Sequence, residues 1–156
     1  MYSFIVNPNA SGGRGERIWR RLEKQLKHLG VPYEAFVTEK TGDARRLACD
    51  LTEHQREPRI LIAVGGDGTV SEVLDGISFC GPVTLGYIPT GSGNDLARSL
   101  RLPKSPSRCL KKILNPKYHK LLDYGVLSYG DHLTHRRFMV STGIGMDAMV
   151  CQDILH

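Results

Sequence analysis

No stretch of this sequence approaches the roughly 18 consecutive apolar residues that a membrane-spanning helix needs, which excludes a chain held in a bilayer by such a helix. Cysteine is sparse and scattered: Cys49, Cys80, Cys109 and Cys151 form no C-x-x-C pair, and no histidine stands at ligand spacing from them. That pattern argues against a zinc site and against a disulfide framework. The four are expected as free thiols of a cytoplasmic protein, mostly at core or helix positions. His132 and His135 lack a third ligand and read as surface residues of a polar stretch. The opening residues, MYSFIVNPNASGG, lack the basic start and long apolar core of a secretory signal, and read as a strand running into a turn. No internal repeat or low-complexity linker is present. What remains is the composition of a globular domain, 40% hydrophobic and 24% charged over 156 residues, with a formal net charge of 21 − 16 = +5.

Glycine, by contrast, is abundant at 17 of 156 residues, against an average of about 7%, and it is clustered. The clusters punctuate an alternation of apolar runs and helical patterns. Tyr2–Val6 is a short β-rich run stopped by Asn7-Pro8. Trp19, Leu22, Leu26 and Leu29 recur at helical spacing within Gly15–Leu29, and Gly30 closes that helix. Tyr33–Thr38 is a second strand, after which Ala44, Leu47, Ala48 and Leu51 mark a second helix. Arg59–Val64 is the most apolar strand and is expected to be buried on both faces, as in a parallel sheet. Val70, Val73, Leu74 and Ile77 give a third helical face, Val83–Ile88 a fourth strand, and Asn94–Leu100 a further helix. This order predicts an α/β fold, a mainly parallel sheet with right-handed crossovers and helices on both faces. After Asn115-Pro116 the pattern becomes a β-hairpin, Lys120–Ser128 and Leu133–Thr142, turning at Tyr129-Gly130-Asp131. Gly145–His156 begins an element without a partner, which leads us to expect a longer protein.

The glycine clusters fall where three strands end: Asn7-Pro8-Asn9-Ala10-Ser11-Gly12-Gly13, Gly65-Gly66-Asp67-Gly68-Thr69, and Pro89-Thr90-Gly91-Ser92-Gly93-Asn94-Asp95. In a parallel sheet all three lie on the carboxyl-end rim, where open α/β folds bind ligands. Each leads into a helix N-terminus, whose free N–H groups and positive dipole end favour phosphate. Tight βα turns need glycine in any case, but three on one edge, bearing Asn, Asp, Ser and Thr as well, point to an anionic ligand. The absence of G-x-x-x-x-G-K-[ST] excludes a P-loop protein, and the absence of V-A-I-K, H-R-D and D-F-G excludes a protein kinase. Gly143-Ile144-Gly145-Met146-Asp147-Ala148 fits a loose dinucleotide fingerprint, yet it follows the hairpin instead of opening the first βαβ unit.

The loop Gly65-Gly66-Asp67-Gly68-Thr69 resembles the G-G-D-G-T loop shared by diacylglycerol, sphingosine, ceramide and NAD kinases and phosphofructokinases. Pro89-Thr90-Gly91-Ser92-Gly93-Asn94-Asp95 resembles the P-x-G-T-x-N-D loop of the diacylglycerol kinase catalytic domain and narrows the choice considerably. Asn7-Pro8 with Ser11-Gly12, Thr38 followed by Gly42-Asp43-Ala44, and the run Gly143–Ala148 are similar to further landmarks of the family, in the same order. Ser92 stands where the family has Thr, and Ser141-Thr142 where many relatives have Asn. The resemblance implies an α/β nucleotide-binding domain over residues 1–118. Residues 119–156 are then the hairpin and the start of a truncated, β-rich second domain. It implies a lipid kinase that moves the γ-phosphoryl of ATP, with Mg²⁺, onto a lipid hydroxyl.

On that resemblance the backbone of Gly65, Gly66, Asp67, Gly68 and Thr69 and the Thr69 hydroxyl meet the phosphates, with Ser71 beside them. Asn7, Ser11 and Gly12 come from the first loop and Gly91, Ser92, Asn94 and Asp95 from the third. Thr38 and Ser92 are nucleotide-contacting hydroxyls. Asp67 is the candidate catalytic residue, because a carboxylate among phosphate-binding glycines repels ATP unless it holds Mg²⁺, a Mg-bound water or a substrate hydroxyl. The other reading of Asp67 is an N-cap for the helix Gly68–Ile77. Asp95 is as well explained by capping Asn94–Leu100. The general base is expected in the second domain, so residues 1–156 alone are expected not to turn over. Two alternatives stay open: a NAD-kinase-like phosphotransferase, and a noncatalytic nucleotide or lipid sensor.

Charge is uneven. Between Leu96 and Leu122 lie Arg98, Arg101, Lys104, Arg108, Lys111, Lys112, Lys117 and Lys120 with no acidic residue. Around the first helix Arg14, Arg17, Arg20, Arg21, Lys24 and Lys27 face only Glu16 and Glu23. Such patches suit peripheral attachment of a cytoplasmic protein to an anionic membrane surface, where its lipid substrate would lie, or else form a solvated face. No basic–aromatic interleaving supports nucleic-acid binding. Oligomeric state is not legible; a homodimer stays open.

Overall fold

The first four apolar runs build one parallel sheet. In the computed structural model, which describes residues 1–130 and 134–139, β1 (Tyr2–Val6), β2 (Tyr33–Val37), β3 (Arg59–Gly65) and β4 (Val83–Pro89) lie side by side in the order β2-β1-β3-β4. Phe4 pairs with Ala35 on one side and Ile62 on the other, and Leu61 with Leu85. As its composition predicts, the central strand is enclosed on both faces: Leu61, Ile62, Ala63 and Val64 are each 0% exposed.

The chain leaves β1 toward one edge and later leaves β3 toward the other. With right-handed crossovers throughout, that reversal puts the connecting helices on opposite faces. It does so here. Helix α1 (Ala10–His28) lays Trp19, Leu22 and Leu26 on Phe4, Val6, Ile62, Val64 and Ile88. Helices α2 (Asp43–Thr52) and α3 (Asp67–Gly76) lay Ala44, Ala48, Val70 and Val73 on Ile5, Leu61, Ala63 and Tyr87. Alternate residues of each strand feed the two cores, as the two-residue period of a strand requires. The point of reversal lies between β1 and β3, and it opens a crevice beyond their carboxyl ends.

After α4 (Asp95–Ser99), a helix not marked in the sequence reading, α5 (Pro106–Leu114), joins the α1 face through Cys109 and Leu110. Its signals are present in the residues: Ser105 before Pro106 at the first helical position, then Cys109, Leu110, Ile113 and Leu114 at helical spacing.

The hairpin is antiparallel, β5 (Gly125–Tyr129) with β6 (Thr134–Phe138), and Leu127 pairs with Arg136. It begins later than expected: Lys120–Tyr124 has no strand beside it among the described residues, and Leu121 is 98% exposed. The buried end of α3 anchors the hairpin. Asp75 accepts from Arg45 at 2.9 Å, from Arg136 at 2.8 Å and from the Arg137 N–H at 3.0 Å, while the Arg137 guanidinium lies 4.8 Å over the Phe79 ring. His132, Leu133, residues 140–142, the run Gly143–Ala148 and Cys151 lie outside the described residues. His135 is exposed, as expected, and its Nδ1 lies 2.8 Å from Ser128 Oγ. Among the described cysteines, all free, Cys109 is buried, Cys49 half-buried on α2, and Cys80 exposed in a loop and not at the expected core or helix position. Burial pushes the Cys109 thiol up to about 11. No described helix is long and apolar enough to cross a membrane.

Candidate functional site

The three glycine-rich turns meet at the carboxyl ends of β1, β3 and β4, and they bond to one another. The Asn7 N–H extends the ladder to Val64 O at 2.9 Å. Asn7 Oδ1 accepts the Asn9 N–H at 2.9 Å, folding the turn, while Nδ2 donates to Thr69 Oγ1 at 3.1 Å. Ser11 Oγ donates to Thr90 O at 2.8 Å. The first turn is thus fastened to the second through Asn7 and to the third through Ser11.

Ser11, Gly12 and Gly13 have φ of 52°, 66° and 85°, three successive left-handed residues that break the first turn of α1. The regular helix therefore begins near Gly15, as the apolar spacing predicts. A left-handed Ser costs roughly 1–2 kcal/mol, and the bond to Thr90 holds it there. A Cβ at Gly12 or Gly13 would meet nothing within 4 Å, so this turn faces open space.

The second and third turns touch backbone to backbone. A Cβ on Gly91 would stand 2.6 Å from Gly66 Cα, and Thr90 N–H donates to Gly65 O at 2.8 Å. Glycine at position 91 is what permits this approach; a Cβ on Gly66 would stand 3.3 Å from Gly91 Cα, a tight contact and a milder one. The first intrahelical bond of α3 runs from Val70 N–H to Gly66 O at 3.2 Å, leaving the N–H groups of Asp67, Gly68 and Thr69 ahead of it. Gly68 is exposed and Thr69 is buried.

Asp67 does not cap its own helix. Oδ2 accepts the Asp95 N–H at 3.0 Å and Oδ1 the Leu96 N–H at 3.1 Å, so this carboxylate caps α4 across the gap between the two turns. The N-cap position of α3 is Gly66, which has no side chain to offer. Asp95, for its part, gives its carboxylate to Arg98. Asn94, left-handed at φ 56°, is consumed within its turn: Oδ1 accepts from Gly91 N–H at 3.0 Å and Tyr87 hydroxyl at 3.3 Å, and Nδ2 donates to Gly91 O. Burial, reinforced by the negative charges of Asp67 and Asp95, pushes the Tyr87 phenol well above its ordinary value and keeps it protonated.

Thr38 is buried at the end of β2, its hydroxyl donating to Val6 O at 3.3 Å beside the first turn. Ser92 is exposed in the third turn. Ser71 lies apart from the others, lining a groove between α2 and α3 with Thr41 and Glu72.

Two groups that sequence reasoning did not single out belong to the rim. Thr90 is 5% exposed, yet its Oγ1 has no hydrogen-bond partner; a hydroxyl so buried costs about 1–3 kcal/mol when unpaired. Its signal was a threonine at a strand end inside a loop already marked. Tyr87 is the other; nothing in its strand context distinguishes it from a core residue.

The second strand's turn closes the same edge. Asp43 Oδ2 accepts the N–H groups of Glu39 at 2.9 Å and Lys40 at 3.0 Å, and these bonds hold its carboxyl below the usual carboxylate value. Gly42 N–H reaches Glu72 on α3 at 3.0 Å. Because the folded pKa of Asp43 lies below the unfolded one, its stabilisation is complete above roughly pH 3.9 and is lost as the pH falls through the folded value. Urea unfolding across pH 2–5 is expected to show a steeper acid loss of stability for the natural chain than for Asp43→Asn.

The donor set fits a polyphosphate. Free helix N–H groups, a left-handed turn open to solvent, and an orphaned hydroxyl stand where two backbones meet, with α3 presenting its positive end. It also fits Mg²⁺, which takes one or two carboxylates and completes its shell with phosphate oxygens and water. Asp67 would supply such a carboxylate, while that of Asp95 is paired with Arg98; no group of three His, Cys, Asp or Glu side chains forms a closed protein cage among the described residues.

Residues 1–125 match the diacylglycerol kinase catalytic domain. The chain is 33% identical over 149 residues to YtlR, a candidate lipid kinase of Bacillus subtilis, covering 94% of this chain and 48% of YtlR. It is 38% identical over 100 residues to a diacylglycerol kinase of Staphylococcus saprophyticus, covering 64% of this chain and 32% of that one. A diacylglycerol kinase crystal structure from Bacillus anthracis superposes with a TM-score of 0.65 at 27% identity, over 79% of this chain and 44% of the other. The chain thus spans about half the length of YtlR and less of the others. On the match across most of its length, the chain belongs to the diacylglycerol kinase catalytic-domain family of lipid kinases.

Proposed function

We propose that these residues form the nucleotide-binding half of a kinase that transfers the γ-phosphoryl of ATP, with Mg²⁺, to the hydroxyl of a lipid. The observation that carries this reading is the junction of the Gly66 and Gly91 backbones at the mouth of α3, closed from the third side by Asn7 and Ser11. In the transfer, the bond from the γ-phosphorus to the bridging oxygen breaks and a bond to the lipid oxygen forms. ADP leaves, and the hydroxyl proton passes to a base.

The chain's contribution is positioning and charge compensation, the terms on which phosphoryl transfer chiefly depends. The N–H groups of Asp67, Gly68 and Thr69 and the hydroxyls of Thr69 and Ser92 orient the phosphate oxygens. The left-handed turn offers the N–H groups of Ser11 and Gly12, that of Gly13 being given to Asn9 O at 3.1 Å, and Thr38 borders the nucleotide. Asp67 would hold the metal, which when bound would neutralise the triphosphate charge. Asp67 also fixes α4, so one carboxylate sets the metal site and the spacing of the two turns. Asn94 builds its turn through its bonds to Gly91 and Tyr87. Ser71 lines the α2–α3 groove.

No described residue is placed to act as general base. On the family resemblance that group belongs to a second, β-rich domain, into which residues 119–156 lead; the 156 residues alone then bind nucleotide without turnover. The test is transfer of radiolabelled phosphate from ATP by the full-length protein to a panel of detergent-dispersed diacylglycerol, sphingoid and polyprenol acceptors, with NAD included. Label in a lipid is the expected result. Label in NAD alone moves the protein to the NAD-kinase type, and label in none of them leaves a nucleotide sensor.

A further inference from the structure

Away from the rim, the face formed by α1 and α5 carries a groove of about 820 Å³ whose walls are cationic. Arg17, Arg21, Lys24 and His28 follow one another at helical spacing along α1, a stripe of roughly 16 Å, and Lys111 faces them from α5. Their side chains are exposed, and Arg17, Arg21, Lys24 and Lys111 have no ion-pair partner among the described residues. The only carboxylates on either helix are already engaged: Glu16 with Arg20 at 2.6 Å, and Glu23 with Lys27 at 3.1 Å and the Tyr33 hydroxyl at 3.0 Å. Gln25 Nε2 donates to Ser107 Oγ at 2.8 Å and ties the two helices together, so the stripe is held on a rigid base. Between the cations lie Leu29, 56% exposed, and half-buried Leu114, with Leu110 of the core beneath them at 1% exposure.

We infer that the α1–α5 groove is the face by which the protein lies on an anionic phospholipid bilayer. Unpaired cations around exposed Leu29 and half-buried Leu114, on a helix whose opposite face is fixed in the core, form the pattern of an interfacial surface: the charges meet phosphates and Leu29 meets the headgroup boundary. No aromatic side chain lines the groove, so it lacks the stacking platforms of a single-stranded nucleic-acid channel. The choice of a bilayer over another polyanion rests on the proposed lipid acceptor. Because α1 begins at the glycine rim and runs down the side of the sheet, a bilayer on this face would bring the rim to the membrane edge-on.

The experiment is co-sedimentation with vesicles, without nucleotide, so that its outcome is independent of the kinase assay on detergent-dispersed acceptors. Vesicles of equal parts phosphatidylcholine and phosphatidylglycerol are expected to bind the chain, more weakly as salt rises, and pure phosphatidylcholine vesicles are not. The double variant Arg21→Gln, Lys24→Gln is expected to bind about 30-fold more weakly, on the scale of tenfold or less per surface charge. Arg46→Gln, Arg56→Gln removes the same charge from outside the groove and is expected to bind as the natural chain does. Circular dichroism checks that both variants fold. Three results overturn the inference: no binding to the anionic vesicles at low salt, equal loss in both double variants, or displacement from the vesicles by duplex DNA at equal phosphate concentration.

Discussion

Gly91→Ala is expected to weaken nucleotide binding by at least tenfold and to destabilise the fold by about 1–3 kcal/mol, the usual cost of forcing a methyl group into a filled space. The new Cβ would lie 2.6 Å from Gly66 Cα and 3.0 Å from Asn94 Oδ1. The first neighbour is backbone, which cannot rotate away as a side chain can, so the two turns must separate. Separation also disturbs the Asn94 carboxamide, which both accepts from and donates to Gly91. Calorimetric titration with ATP and urea unfolding read the two effects separately. An alanine variant that binds nucleotide as the natural protein does would show that the turns need not touch.

Asp67→Asn in the full-length protein is expected to lower turnover by at least 100-fold, the scale on which loss of a positioned electrostatic group is felt. Stability should fall by only about 0.5–2 kcal/mol, the range for a weakened helix cap. The amide retains one acceptor oxygen, so one of the two N–H groups at the start of α4, from Asp95 or Leu96, loses its partner. A metal or substrate role and a capping role predict different outcomes. If Asp67 only caps, turnover and stability decline together and modestly. If it also holds the metal, turnover collapses in a protein that still unfolds cooperatively near the natural midpoint.

The sheet could be read from the sequence because a parallel core announces itself: Arg59–Val64 has no polar residue after its first, and it is the strand that both faces enclose. The turns could be read because glycine clusters at strand ends have few other uses. Asp67 shows where that reading stops. A carboxylate at a helix start suggests a cap for that helix, but the partner it takes lies 28 residues along the chain, in a helix brought near only by the pairing of β3 with β4. Asn94 likewise carries the same letters whether it serves a ligand or its own turn; its bonds to Gly91 and Tyr87 are a matter of packing that no spacing rule announces. That the Thr90 hydroxyl is buried without a partner among the described residues is also a fact of packing. Helix α5, in contrast, is signalled in the residues by Ser105-Pro106 and the apolar spacing of Cys109, Leu110, Ile113 and Leu114.

The most direct measurement of the central claim is a titration of the isotope-labelled 156-residue chain with Mg-ATP, following backbone amide resonances by NMR. The account predicts that the amides of Gly12 and Gly13, of Gly66 to Thr69, and of Gly91 to Gly93 move together, saturating at one shared concentration in the millimolar range or below. Movement confined to a single turn, movement centred on the α1–α5 groove, or still spectra throughout would contradict it.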